Sequence, residues 1–407
     1  MKMNSSQIKH FDYIFTGTGL ASLMTIYKMV ISGKFTKKSI LLLDQDVKKT
    51  NDRTWCFWKK EDSIWNPIIS KKWDVALFAN ENFKRDLELA PYTYNKINGL
   101  DFYNFVFETI SSQPNITFLN EKVTDINELE THVFVGTEAN RYTCQYLFNS
   151  IYTKAFAEGQ TKYPVLQQHF LGWFIKSESE VFNPDEVTFM DFSVKQKANT
   201  RFMYVLPTSK IEALVEYTLF SEKLLSKEEY ENEIQVYLKK LGINKFEIIE
   251  KEQGSIPMTS YPFWKKNTKR VLNMGTAGGW TKASTGYTFK NSDKKSSELV
   301  EFIIDKSVFP EVSGSLSNAS ETLNMTDFYK KNRFWFYDLL LLDILYRHNE
   351  LGSSIFSSLF RKGNPDLIFK FLDEETIFLE DVKVILKCPK LPFIKALFRV
   401  IFLSNKS

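Results

Sequence analysis

The sequence predicts an α/β protein: a doubly wound, Rossmann-like dinucleotide-binding domain with an inserted sheet-based domain and a C-terminal helical region. Three observations predict it. A short apolar run at residues 11–15 leads into the turn TGTGLAS, the helical pattern LMTIYKMVISGK and the apolar strand SILLLDQD, which together make one βαβ unit. A strand and glycine turn recur far down the chain, at VLNMGTAGGWTKASTGYTF, and beyond Asp327 the pattern is mostly helical.

The elements follow in order. After the first unit comes a tryptophan-rich stretch without clear period, then a helix at GLDFYNFVFETISS and short strands at NITFLNEKVTDI, HVFVGTE and YLFNSIYT. The middle of the chain reads as strands around one helix, SKEEYENEIQVYLKKLG. The expected organisation is a dinucleotide-binding domain in three parts, 1–60, 96–160 and 263–305. Segments 61–95 and 161–262 form a substrate domain, and 306–407 the helical region.

With 407 residues, the chain can bury a large core in two or three units. Hydrophobic residues at 43% and charged residues at 25% suit a globular protein, and 36 phenylalanines suit a deep apolar pocket. A net charge of +4 without a basic stripe argues against a nucleic-acid partner. Three widely spaced cysteines, Cys56, Cys144 and Cys388, imply neither a disulfide framework nor a metal site, and fit a reducing cytoplasm. No apolar leader and no run of 18 apolar residues appears, so no membrane span is expected.

Two turns carry chemistry. In Gly17-Thr18-Gly19-Leu20-Ala21-Ser22 the glycines permit a sharp bend and close approach to a pyrophosphate, with small Ser22 in the third glycine's place. The following helix aims free N–H groups at that phosphate. Asp44, ending the second strand, is placed for a ribose hydroxyl. An N-terminal location of the turn favours FAD over a nicotinamide as the held cofactor. At the second turn Gly275, Gly278 and Gly279 allow backbone approach, and STGYTF is read as opening a helix capped by Ser284 or Thr285, with Gly286 beside it. A third feature is a carboxylate in an apolar strand. In IEALVEYTLF, Glu216 shares a row with Leu214, Thr218 and Phe220. Glu212, on the same face nearer the hairpin turn, is its rival.

The segments NDRTWCFW, TGTGLAS, QQHFLGWFI, LVEYTLFS, GTAGGWTKASTGYTF and RFWFYDLLLLDIL resemble the bacterial lycopene cyclase family over nearly the whole chain. The resemblance implies a flavoprotein that cyclises the linear ends of lycopene to β-rings, working with reduced FAD and NAD(P)H as reductant but without net redox change. The family's strand motif, acid-x-Thr, falls on Glu216 and Thr218. Ring closure needs a proton delivered to a double bond in an apolar cavity. A glutamic acid in aromatic surroundings is held protonated for that task. Trp55, Phe57 and Trp58 are candidates for stabilising the cation through their faces, against plain core packing. Arg53 pairs either with flavin phosphate or with Asp52. His169, lacking a second histidine at ligand spacing, reads as structural, and no metal site is expected.

The tail KLPFIKALFRVIFLS sets Lys395 and Arg399 four apart. As a helix it would lie on an anionic membrane surface, making the protein cytoplasmic and peripheral on the inner face, or else dock on the body. On the same scaffold the alternatives are a flavin monooxygenase or prenyl reductase consuming NADPH, a cyclase of other regiochemistry, or a non-catalytic flavin holder. A halogenase is disfavoured because no Trp-x-Trp-x-Ile-Pro segment occurs.

Overall fold

A computed structural model describes residues 8–306, 323–329 and 331–403; the basic tail residue Lys406 lies outside them. The first sheet is built on strand Lys9–Thr16, which pairs in parallel with Ile40–Asp44 on one side and Arg141–Asn149 on the other. Ile116–Asn120 extends it in parallel beyond Ile40–Asp44, and Val271–Asn273 joins Arg141–Asn149. Antiparallel Val133–Thr137 and Val123–Glu128 close the other edge. The second strand is apolar from Ile40 to Leu43 because both its faces are covered there, as central parallel strands require, and Asp44 ends it. Helix Leu20–Ile31 packs between this sheet and helix Phe289–Lys306, sharing one core with Trp65, Phe102 and Phe289.

The second sheet is mixed and contains the hairpin Thr200–Pro207/Glu212–Ser221, flanked by Leu166–Ser177 and then Phe246–Met258. Strands Glu186–Asp191, Val75–Asn80 and Phe83–Glu88 complete its other side. Alternation along Glu212–Ser221 sends Val215, Tyr217 and Leu219 toward helix Lys227–Lys240. Leu214 and Phe220 face an aromatic cluster shared with the C-terminal helices. Ser226 starts helix Lys227–Lys240 with a capping box to Glu229, which fixes where the chain leaves the sheet.

Much of the tryptophan-rich stretch forms a third, small sheet. Thr54–Lys59 and Lys71–Trp73 flank Thr93–Asn98 in it. Its side chains are divided between two cores, Phe57 and Ile97 in that of the first sheet and Trp58, Trp73 and Tyr94 in the aromatic cluster of the second. The helix read from STGYTF begins later than expected, at Phe289. Residues Ser284 to Thr288 form a turn instead, so neither Ser284 nor Thr285 caps that helix; Thr288 Oγ1 donates to the Gly286 carbonyl at 2.9 Å.

Candidate active site

One cavity of about 480 Å³ runs from the first glycine turn, at Gly19 and Leu20, past Arg53, Thr54 and Trp55 to Glu216 and Thr218. Thr276, Thr285 and Gly286 of the second turn line it as well. A larger hollow of about 670 Å³ opens beyond Gly279, but it touches neither the first turn nor Glu216. Its buried Lys282 is neutralised by Asp338 at 3.0 Å and Glu374 at 2.8 Å.

At the glycine-turn end, Gly17 adopts φ +83°, where a Cβ would sit 2.5 Å from Ser150 Oγ. Asp44 ties the turn down, accepting from Thr18 N at 2.6 Å and from the Thr18 hydroxyl at 2.8 Å. Thr18 thus has a structural reason. Ser22 is buried against Met274, its hydroxyl 3.7 Å from the sulfur, and joins the two turns rather than lining the cavity. Gly275 lets the second turn approach Ala21, and Gly278 avoids a Cβ 2.2 Å from the Asn273 carbonyl oxygen. With Gly279, these glycines shape the turn from behind; Thr276, Thr285 and Gly286 reach the cavity. Arg53 lines it and donates to the Asp52 carbonyl at 2.8 Å; the Asp52 carboxylate accepts from Tyr103 at 2.9 Å.

These residues fit a dinucleotide. No side chain caps helix Leu20–Ile31, its N-cap Gly19 and first residue Leu20 line the cavity, and a Cβ on Gly19 would meet nothing within 4 Å. Farther along, Thr285 Oγ1 and Gln168 Oε1 are buried without a hydrogen-bond partner, a costly state that a ligand ring bearing polar edges would relieve.

At the far end Glu216 is 8% exposed and accepts from the Thr218 hydroxyl at 2.5 Å. Burial, and then repulsion from Glu252, hold its carboxyl well above the ordinary carboxylate range. Glu252 had gone unread in the sequence. It is also raised by burial, while the Thr54 hydroxyl, 2.8 Å away, and the Lys96 ammonium counter that effect. Three aromatic hydroxyls stand opposite: Tyr204 faces Glu216 across the hairpin, and Tyr94 OH lies 2.7 Å from Tyr204 OH and 3.5 Å from Tyr287 OH. Burial keeps all three neutral and pushes the nearby Cys56 thiol up to about 12.

Not every expected residue reaches this place. Glu212 sits at the hairpin mouth, its side chain 38% exposed and 3.5 Å from Lys176, outside the cavity. Phe57 stacks on Phe289 at 4.2 Å inside the core of the parallel-sheet unit. Trp58 stacks on Phe369 at 4.8 Å and donates to Asp373 at 2.9 Å. Both are packing residues: they lie on opposite faces of their strand, and Phe289 covers the one while Phe369 and Tyr287 cover the other, so neither lines the cavity that Trp55 and Cys56 reach. His169 bonds Tyr230 and, at 2.7 Å, Ser221; burial and Arg201 lower its pKa to about 4, so it is a neutral structural histidine. No cluster able to hold a metal is found among the described residues.

No curated protein sequence matches the chain. Among solved structures it is similar to a geranylgeranyl bacteriochlorophyll reductase-like protein from Thermoplasma acidophilum. There the identity is 12% and the TM-score 0.59, over 97% of this chain and 100% of that one. It is similar to p-nitrophenol 4-monooxygenase PnpA from Pseudomonas putida DLL-E4 at 11% identity and TM-score 0.60, over 90% and 99% of the two chains. A variant of the halogenase PltM in complex with FAD gives 12% identity and TM-score 0.57, over 92% and 83%. At such identities the likeness is one of fold, and it is the doubly wound fold expected from the glycine turns. A family profile described as lycopene cyclase protein matches residues 12–398, from the first strand to the end of helix Lys390–Phe398. The chain belongs to the lycopene cyclase family.

Proposed function

We propose that this chain is a lycopene β-cyclase, converting the linear ends of lycopene to β-rings by acid-initiated, redox-neutral cyclisation. One observation carries the reading: Glu216, a carboxyl held protonated, faces an aromatic cavity that continues to an uncapped helix N-terminus. Glu216 gives its proton to the terminal double bond, leaving a tertiary cation. The neighbouring double bond attacks that cation and closes the ring, and loss of one proton forms the ring double bond. Thr218 orients the acid, and the faces of Trp55, Tyr94 and Tyr204 along the wall stabilise positive charge by roughly 0.5–2 kcal/mol each.

FAD is the cofactor proposed for the other end. Its pyrophosphate would be held by the first N–H groups of helix Leu20–Ile31 with Arg53 nearby, and its ring end by Thr285, Gly286 and Gln168. Reduced, anionic FAD held by these residues would supply negative charge to stabilise the developing cation, with NAD(P)H as the proposed reductant. No helix among the described residues is long and apolar enough to cross a membrane. The proposed route for a bilayer-dissolved substrate is docking of the C-terminal segment on the membrane surface. Ile377, Phe378 and Leu379 there are each more than 60% exposed, near Lys383, Lys387, Lys390 and Lys395. Arg399 is not part of a basic outer face, because it pairs inward with Asp343 at 2.5 Å.

The test is product mass against reductant consumed. The expected result is a ring-bearing product of lycopene's mass, with far less than one NAD(P)H oxidised per ring. A product heavier by oxygen or by two hydrogens, with one NAD(P)H per turnover, would replace the cyclase with the monooxygenase or reductase reading.

A further inference from the structure

Across three adjacent strands the sheet lines up one row of side chains. Glu216 is paired with Gly172, and Gly172 with Glu252 on its other side. Strands lie about 4.8 Å apart, so the two glutamates start roughly 10 Å from each other with a residue between them that has no side chain. That vacancy is what lets them meet. A Cβ on Gly172 would come 2.8 Å from Leu214 Cδ1 and 3.4 Å from both Glu216 Cβ and Glu252 Cγ. The two side chains therefore lean over the glycine and join through a hydrogen bond between their carboxyl groups.

The surroundings differentiate the two acids. Glu216 is the more deeply buried, and beyond Glu252 it takes a hydrogen bond from Thr218. Glu252 receives the Thr54 hydroxyl at 2.8 Å and lies within the field of Lys96, whose buried ammonium sits over the Phe174 ring at 5.4 Å. Burial raises both carboxyls, Glu216 the further; on Glu252 the Thr54 hydroxyl, Lys96 and the bond to Glu216 oppose burial, so of the two it gives up its proton first. Paired groups pushed apart in this way divide into acid and base. Both line the same cavity. The third acid on its wall, Asp52, is occupied by Tyr103 within the parallel-sheet unit.

We propose that Glu252 is the base of the reaction: as a carboxylate it takes the proton that leaves the newly closed ring and returns it to Glu216 across their hydrogen bond. The proposal rests on the cyclase reading above. Its balance closes without any co-reactant. The O–H bond of Glu216 breaks as the C–H bond at the chain end forms, leaving two carboxylates beside one carbocation. The adjacent double bond supplies the electron pair of the ring C–C bond. A C–H bond of the ring then breaks, its pair becomes the ring double bond, and its proton bonds to a Glu252 oxygen. Transfer from Glu252 to Glu216 restores the starting pair. While both acids are charged, they confront the cation directly, and Thr54 and Lys96 steady the second charge.

The experiment compares wild type, Glu252→Gln and Glu252→Asp, each loaded with flavin and given lycopene, by rate, ring composition and pH profile. Glutamine preserves shape and removes a buried charge, so the fold is expected to survive; thermal unfolding and flavin content verify it. Glu252→Gln should lose on the order of 10²-fold in rate, release rings with displaced double bonds because the cation must shed its proton elsewhere, and recover partly as Glu252→Asp. Its alkaline limb should also move to lower pH. Glu216 must be protonated to act, and the repulsion from Glu252 that holds its proton is gone. The other groups facing the pair are Tyr204, Tyr94, Lys96, Cys56, Tyr287 and Glu250, and all are unchanged in the variant. A variant that keeps the wild-type ring composition and alkaline limb, whatever its rate, overturns the role of Glu252. Failure of wild type itself to form rings overturns the cyclase reading and this one with it.

Discussion

If Glu216 is held protonated in the folded chain, its replacement by glutamine should change stability in a pH-dependent way, with no substrate present. The group ordinarily titrates near 4.5, and in the fold it is raised well above that value, first by burial and second by the charge of Glu252. Between those two pH values the native state binds a proton that the unfolded chain has released. Unfolding stability must then fall as pH rises through the window, by about 1.4 kcal/mol per pH unit. The glutamine variant carries no such proton. Its amide still donates toward Glu252, so the contribution of Glu252 largely cancels between the two proteins. Glu216→Gln should therefore match wild type near pH 4.5 and gain on it as pH rises above that value, by about 1.4 kcal/mol for each pH unit over which Glu216 stays protonated in the fold. The gap stops widening where Glu216 finally ionises in the fold, and that plateau marks its folded pKa. Urea unfolding of both proteins at equal flavin occupancy, from about pH 4.5 to 8, measures the difference. Parallel curves across that range would refute the reasoning, because they would mean a carboxyl that ionises in the fold as it does in water.

Gly286 adopts φ +72°, and a Cβ there would lie 2.0 Å from the unpartnered Gln168 Oε1, so Gly286→Ala should weaken flavin retention on gel filtration. Adding Gln168→Ala should restore the steric part of the lost thermal stability, leaving the left-handed backbone cost of roughly 1–2 kcal/mol, but should not restore flavin retention, because it removes the Gln168 amide from the ring end. For the C-terminal segment, Phe378→Ser with Leu379→Ser should reduce co-flotation with anionic vesicles while leaving flavin content and ring formation in detergent unchanged; equal flotation would detach the membrane role from this surface.

Features set by local chemistry were legible in the sequence. Gly17, Gly19 and the apolar run ending in Asp44 fix strand, turn and helix by steric rules that need no partner. The period-two pattern around Glu216 likewise placed its side chain on the row of Leu214, Thr218 and Phe220. What depends on register between distant strands was not legible. Glu252 lies on an amphipathic edge strand whose other acids, Glu247 and Glu250, look the same in sequence. Only the pairing of Gly172 with both neighbours singles it out. A glycine inside the strand LQQHFLGWFI was the one available hint, since such a glycine often marks a close approach. Trp58 and Phe57 misled for a related reason. Their strand belongs to a small sheet of its own, so the face each residue presents was set by Thr93–Asn98 and the C-terminal helices rather than by the motif. Helix Phe289–Lys306 starts after the expected cap because the backbone at Gly286 is left-handed and turns the chain before helix can form.

The central claim is that Glu216 starts ring closure on lycopene. Its most direct test is pigment analysis, by chromatography and mass spectrometry, of lycopene-accumulating bacteria expressing this chain or Glu216→Ala at equal levels. The predicted result is bicyclic β-carotene of unchanged mass from the wild-type chain and lycopene alone from the variant. Persistent lycopene with well-expressed wild type, or equal ring formation without the Glu216 carboxyl, would contradict it.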